Sequence, residues 1–128
     1  MKIAFAASEC FPYVKTGGLG DIIGSLPKAI NEEGCEVKLF LTLYGGIKTE
    51  EHNLKVLEEF RDIPVSIGNK EVTFSVRYGT LPDSEVEVFL IDCPVYFHRD
   101  MPYTNDPDED ERFILFQIAV IEPLQRLK

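Results

Sequence analysis

A cation, three glycines and an acid crowd into one short run, Lys15-Thr16-Gly17-Gly18-Leu19-Gly20-Asp21. Those residue types at that spacing suit the binding of an anion. Glycines let backbone N–H groups approach a ligand closely, and a helix beginning there points its positive dipole end the same way. A lysine beside such amides makes a mixed site of fixed and mobile donors. Lys15, Gly17 and Gly18 are therefore the candidate ligand contacts. Thr16 and Gly20 support the loop, and Asp21 is expected to cap the helix rather than act as an acid. The spacing excludes two common phosphate motifs. Gly18, Gly20 and Gly24 are one residue too wide for GxGxxG, and Lys15 precedes the glycines where a Walker A lysine follows them. On spacing alone, a phosphate cradle and a tight turn whose glycines only permit unusual dihedrals stand level.

The elements around the run must position it. Residues 3–7 are continuously apolar, as a parallel strand buried on both faces should be. Residues 21–33 read as a helix with Ile22, Ile23, Leu26, Ala29 and Ile30 on one face. Pro27 predicts a kink or a later helix start, and Gly34 suits the C-terminal cap. Residues 37–41 give a second strand, completing a βαβ unit. Further on, residues 65–67 and 72–78 read as strands around a Gly68-Asn69 turn, with one wet face. Residues 86–91 are apolar enough to rejoin the main sheet. A polar loop follows over 99–111. A last helix is expected from about Arg112, with Phe113, Phe116, Val120, Leu124 and Leu127 on its stripe and a kink or break at Pro123. The fold class is α/β: a Rossmann-like parallel sheet with a β-hairpin insertion.

The whole chain narrows the function classes. Its 128 residues suit a single domain over 1–128. A formal net charge of −9 and a pI of about 4.7 argue against nucleic acid and against an anionic membrane surface. Long-range steering would repel an anionic ligand, so the attraction must come locally from Lys15 and the amides. No stretch nears the roughly 20 apolar residues of a membrane span. The cysteines, Cys10, Cys35 and Cys93, are scattered without a CxxC, which predicts idle thiols in a reducing cytoplasm and no zinc site.

Weaker candidates each have a plainer explanation. His98 and Arg99 could touch sugar or phosphate, but a solvated loop explains them. His52 reads as surface. The acids Asp106, Asp108, Glu109, Asp110 and Glu111 lack the glycine and terminal glutamate of a calcium loop, and acids are favoured before a helix anyway. Tyr44, Tyr96, Phe97 and Tyr103 could form a carbohydrate platform or simply pack.

Ser8-Glu9-Cys10-Phe11-Pro12, the lysine-glycine run, and Gly24-Ser25-Leu26-Pro27-Lys28-Ala29 together resemble the N-terminus of bacterial glycogen synthases and plant starch synthases. Tyr44-Gly45, Ile91-Asp92-Cys93-Pro94 and Arg112-Phe113 continue the resemblance in order. These are retaining glycosyltransferases of family 5 with the two-domain GT-B architecture. The resemblance implies the first half of such an N-terminal domain, so the chain reads as part of a longer protein. It implies glucose transfer from ADP-glucose to the non-reducing end of an α-1,4-glucan, with no metal and no cofactor. Lys15 would contact the nucleotide sugar, and Gly17 and Gly18 would admit the diphosphate and the transferred glucose. The family's second domain carries most of the nucleotide grip and is not in this sequence. No catalytic residue is therefore assigned within the chain, which is expected to be inactive alone and to self-associate through its open sheet. The alternatives are a non-catalytic module for a nucleotide or sugar phosphate, and a structural fragment without a ligand.

Overall fold

The chain opens with the expected βαβ unit: β1 (Lys2–Ala7), α1 (Gly18–Glu32) and β2 (Glu36–Thr42). It continues through a two-residue β3 (Lys55–Val56), a 3₁₀ turn (Glu58–Phe60) and the hairpin of β4 (Ile63–Ile67) and β5 (Lys70–Thr80). It closes with β6 (Glu87–Asp92), a short α2 (Pro94–Phe97) and α3 (Glu109–Arg126). This computed structural model describes residues 1–99 and 101–127.

The sheet runs β1-β2-β6-β5-β3. β1 and β2 pair parallel, and so do β2 and β6, with Leu41 opposite both Ala7 and Leu90. β2 and β6 are therefore internal, and Val37, Leu39, Phe40, Leu41, Val88, Leu90 and Ile91 are almost wholly buried. That is why both read as apolar runs. β1 is an edge strand, and its exposure alternates along its length.

The hairpin turns at Gly68-Asn69, between Ile67 and Lys70, with Gly68 at φ +60°. It is less separate than an insertion. The first half of β5 pairs with β4, and its second half, from Ser75 to Thr80, runs antiparallel to β6 and widens the main sheet. The sheet is mixed, with a parallel core in β1, β2 and β6.

Both long helices keep part of their expected buried face, Ile23 and Ile30 in α1 and Phe116 and Val120 in α3 with Leu127 just past its end, and differ in the rest. α1 begins at Gly18, ahead of Asp21, and runs through Pro27 to Glu32. Gly34, at φ +96°, follows its end as expected. Its buried side carries Gly20, Ile23 and Pro27, while Ile22 and Leu26 stay exposed. Close approach decides this: a Cβ on Gly24 would sit 2.8 Å from the carbonyl oxygen of Phe11, so the small residues must face the loop. Counting apolar residues selects the bulkier side instead. In α3 the buried stripe is Arg112, Leu115, Phe116, Ala119, Val120 and Pro123, and Leu124 is 38% exposed. An arginine forms the first rung, which an apolar count cannot see. Pro123 lies within the helix and does not end it.

Candidate functional site

The crevice beyond the carboxyl ends of parallel strands is where open α/β sheets usually bind ligands. Here that edge is formed by residues 8–17 after β1, Tyr44-Gly45 after β2, and the loop between α2 and α3. They are tied together. The Tyr44 hydroxyl donates to the Ser8 carbonyl at 2.8 Å, and the Tyr103 and Ser8 hydroxyls lie 2.6 Å apart. Gly45 N–H donates to the carbonyls of Phe97 and Arg99. A Cβ on Gly45 would lie 3.0 Å from the Arg99 nitrogen, so a side chain there would press on the backbone of the neighbouring loop. Fully buried Arg112 holds the far loop, donating to the Tyr96 and Pro102 carbonyls and to Glu109, between the rings of Tyr44, Phe97 and Phe113.

Within the first loop, Cys10 and Val14 exchange backbone hydrogen bonds, and Phe11 N–H donates to the Gly20 carbonyl. These bonds fold the loop back onto the first turn of α1. The four glycines then divide into two pairs. At Gly20 an added Cβ would lie 3.0 Å from the Lys15 side chain, and at Gly24 it would strike Phe11, so both are packing positions. At Gly17 and Gly18 an added Cβ would meet nothing within 4 Å. Their surface is open, beside a helix N-terminus that no side chain caps.

Lys15 lies at the rim of that opening. Its Nζ pairs with Asp21 at 3.0 Å, and both side chains are roughly half exposed. An exposed pair of this kind is weak, worth about 0–1 kcal/mol, so an anion can draw the lysine away. Asp21 does not cap the helix. Gly17 occupies the cap position, and Asp21 sits inside the first turn, where its charge suits the dipole. Thr16 is hydrogen-bonded to Glu9 through both its amide and its hydroxyl.

Glu9 is the residue that sequence reasoning missed. It is 3% exposed. Its carboxylate accepts from the Thr16 amide at 2.9 Å, the Thr16 hydroxyl, and the Gly17 amide at 3.3 Å. Burial alone would raise its pKa. The hydrogen bonds from Thr16, Tyr103 and Gly17 outweigh burial and hold the carboxyl down at about 2. The protein thus supplies its own anion behind the loop, which fixes the loop's shape and leaves Gly18 and the start of α1 facing outward. The only sequence signal for this was an acid just past a strand end, seven residues before a donor-rich turn.

The other candidates resolve individually. Arg99 is spent on Asp108 at 2.6 and 2.8 Å and on Asp106 at 3.1 Å. Glu109 accepts from Thr104 and Arg112, and Glu111 from Lys70 and Tyr96, so this acidic run is a set of internal ties. His98 stays exposed. Tyr44, Tyr96 and Phe97 are core residues, and only Tyr103 of that group reaches solvent. His52 is half-buried with its ring 4.9 Å from that of Tyr13. Cys10 and Cys93 are buried free thiols; burial pushes Cys10 up to about 12, so it holds its proton at neutral pH.

Comparison with known proteins gives the family of the chain. The family described as the starch synthase catalytic domain matches residues 2–128. A glycogen synthase from Exiguobacterium sibiricum is 42% identical over 127 residues, covering 99% of this chain and 26% of that protein. One from Clostridium perfringens is 35% identical over 128 residues, covering 99% of this chain and 25% of that protein. Among solved structures, the catalytic domain of starch synthase IV from Arabidopsis thaliana, bound to ADP and acarbose, superposes with a TM-score of 0.83 at 28% identity. That match covers 98% of this chain and 25% of the solved one. The chain thus spans about a quarter of the length of these relatives.

Proposed function

This chain belongs to the starch synthase catalytic domain family, and from that premise we propose that it forms one wall of a glucosyltransferase cleft. The reaction is transfer of glucose from ADP-glucose to the non-reducing end of an α-1,4-glucan. The observation that carries the reading is the open face at Gly17 and Gly18, with Lys15 at its rim and an uncapped helix start behind it. As the glycosidic bond of the donor breaks, negative charge grows on the departing diphosphate. Donors fixed in place and aimed at that charge stabilise the transition state. Lys15 exchanges its exposed partner Asp21 for the diphosphate. Gly17 and Gly18 put no side chain in the way of the diphosphate and the glucose, and with the Gly17 amide held by Glu9 the donors left are those from Gly18 onward. Glu9 keeps the loop in that shape without touching the donor.

None of the residues in this chain is assigned a bond-making role, and the chain by itself is proposed to turn over no ADP-glucose. Residues 1–128 act as one domain-sized part of that cleft. Its location is proposed to be cytoplasmic, in keeping with its free thiols.

A graft tests the reading. This chain replaces the 127 matching residues of the Exiguobacterium sibiricum glycogen synthase. The chimera is expected to transfer glucose from ADP-glucose to glycogen, and Lys15→Ala within it to lower kcat/KM about 100-fold. A folded chimera that turns over normally with Lys15→Ala would overturn the assignment.

A further inference from the structure

A pocket opens beyond the carboxyl ends of β2 and β6, the edge where open α/β sheets take their ligands, and its lining includes none of residues 15–21. It holds about 360 Å³, within the roughly 300–1,000 Å³ of small-molecule sites. Four polar side chains reach it from four parts of the fold: Arg77 on β5, Asp92 at the end of β6, His98 after α2 and Thr49 in the loop after β2. We propose that this pocket binds a small phosphorylated sugar, with the phosphate on Arg77 and His98 and the sugar hydroxyls on Asp92 and Thr49.

Arg77 points most directly to a ligand. Its Nη1 donates to the Leu54 carbonyl at 3.3 Å, which fixes the guanidinium. Its Nε is buried and, among the described residues, donates to nothing. The Asp92 carboxylate faces Nε at 3.7 Å, beyond hydrogen-bond length. A buried donor without an acceptor is uncommon in a folded protein, and at a pocket it marks where a ligand oxygen belongs. Asp92 is under-bonded in the same way. Burial pushes its carboxyl above the ordinary value, although Arg77 and His98 pull it down. A ligand that accepts from Arg77 and donates to Asp92 satisfies both. A bare phosphate would be set against the Asp92 carboxylate, and a neutral sugar would leave the Arg77 charge unanswered. A sugar phosphate brings an acceptor-rich anion and hydroxyl donors together.

The rest of the lining agrees. Leu43, Ile47 and Pro94 give an apolar wall for the C–H side of a sugar ring, and the Thr49 hydroxyl both donates and accepts. The exposed His98 ring rests close against Gly45, where an added Cβ would come 3.1 Å from its Cδ2. His98 and Arg99 were equal candidates for a sugar or phosphate contact by residue type. Arg99 is spent on acids, whereas His98 faces a pocket that also holds Arg77. On a chain of net charge −9 the attraction for an anion must be local, and these two side chains supply it. The inference needs this pocket alone and not the transfer reaction proposed above.

The test uses the chain itself, labelled with ¹⁵N and titrated separately with glucose 1-phosphate, inorganic phosphate and glucose. Glucose 1-phosphate is expected to shift the amides of Gly45, Thr49, Arg77, Asp92 and His98 saturably. Phosphate and glucose each bring half of the groups, and are expected to bind the pocket about tenfold more weakly. Arg77→Lys keeps the charge, removes Nε, and is expected to weaken glucose 1-phosphate about tenfold. His98→Ala, at an exposed position, is expected to weaken it as well, in case Arg77→Lys disturbs the fold. Glucose 1-phosphate shifts that are absent, or confined to residues 15–20, or unchanged in both folded variants, overturn the site. Phosphate binding as tightly as glucose 1-phosphate would overturn the sugar contacts, and glucose binding as tightly would overturn the phosphate contact.

Discussion

Glu9 carries an energetic consequence that can be measured directly. Its carboxyl is held at about 2, against an ordinary value of 4.5. A group whose pKa is lower in the folded state stabilises the fold above its unfolded pKa, and loses that contribution as pH falls through the folded one. Glu9 therefore contributes fully at neutral pH, up to about 3 kcal/mol by this linkage, and progressively less between about pH 4.5 and pH 2. Glu9→Gln is expected to lower stability to urea at pH 7, and the difference from the unaltered chain is expected to shrink as the solution is acidified. A difference that is constant between pH 7 and pH 3 would mean that the carboxylate does not hold the loop. Lys15 behaves oppositely. Its partner is exposed, so its loss should leave stability nearly unchanged and be visible only in ligand binding.

Where β1 passes into α1, glycines in one run do unlike work. Gly24 admits the Phe11 carbonyl against the helix, whereas Gly17 and Gly18 face open space. Gly24→Ala should cost about 1–3 kcal/mol through overpacking against backbone that cannot move aside. Gly17→Ala should fold with unchanged stability, because its φ of −166° is ordinary extended backbone, and should weaken ADP binding by crowding the open face. Thermal unfolding and ADP titration of the two variants separate these effects. Equal destabilisation by both would contradict the division. α3 shows the same contrast between composition and placement. Its first buried rung is Arg112, whose guanidinium ties α2 and the loop after it to Tyr44 beyond the end of β2.

At the scale of the whole molecule, the open edge and the bare helix faces dominate. β1 ends the sheet, so one row of its backbone groups is unpaired. On α3, Ile114, Ile118, Ile121 and Leu124 are between 38% and 51% exposed and recur every three or four residues along one face. An apolar stripe of that kind in water favours association. The isolated chain is expected to show a concentration-dependent sedimentation coefficient, and Ile118→Glu with Ile121→Glu to shift it towards monomer. Strictly monomeric sedimentation of the unaltered chain at high concentration would show that the stripe is tolerated bare.

The βαβ unit, the β4–β5 hairpin, β6, the last helix and the family were legible from the sequence, because each rests on local patterning; β3 and α2 are too short to leave a period. Apolar runs mark internal strands, 3.6-residue periods mark helices, and Gly68-Asn69 marks a turn, all within a few residues of one another. What the fold alone decided involves residues far apart in the chain. β5 joins β6 by pairing that no local pattern encodes. The buried face of α1 depends on which side can come close, not on which side is more apolar, and that of α3 begins with an arginine. Tyr44, Tyr96 and Phe97 became core, while Tyr13, His52 and Tyr78 came to line a cleft. Lys15 and the glycines were visible because chemistry and spacing coincide in one run. Glu9 was not, because a carboxylate's role depends on the donors that surround it, and only the folded loop turns the Thr16 and Gly17 amides towards it.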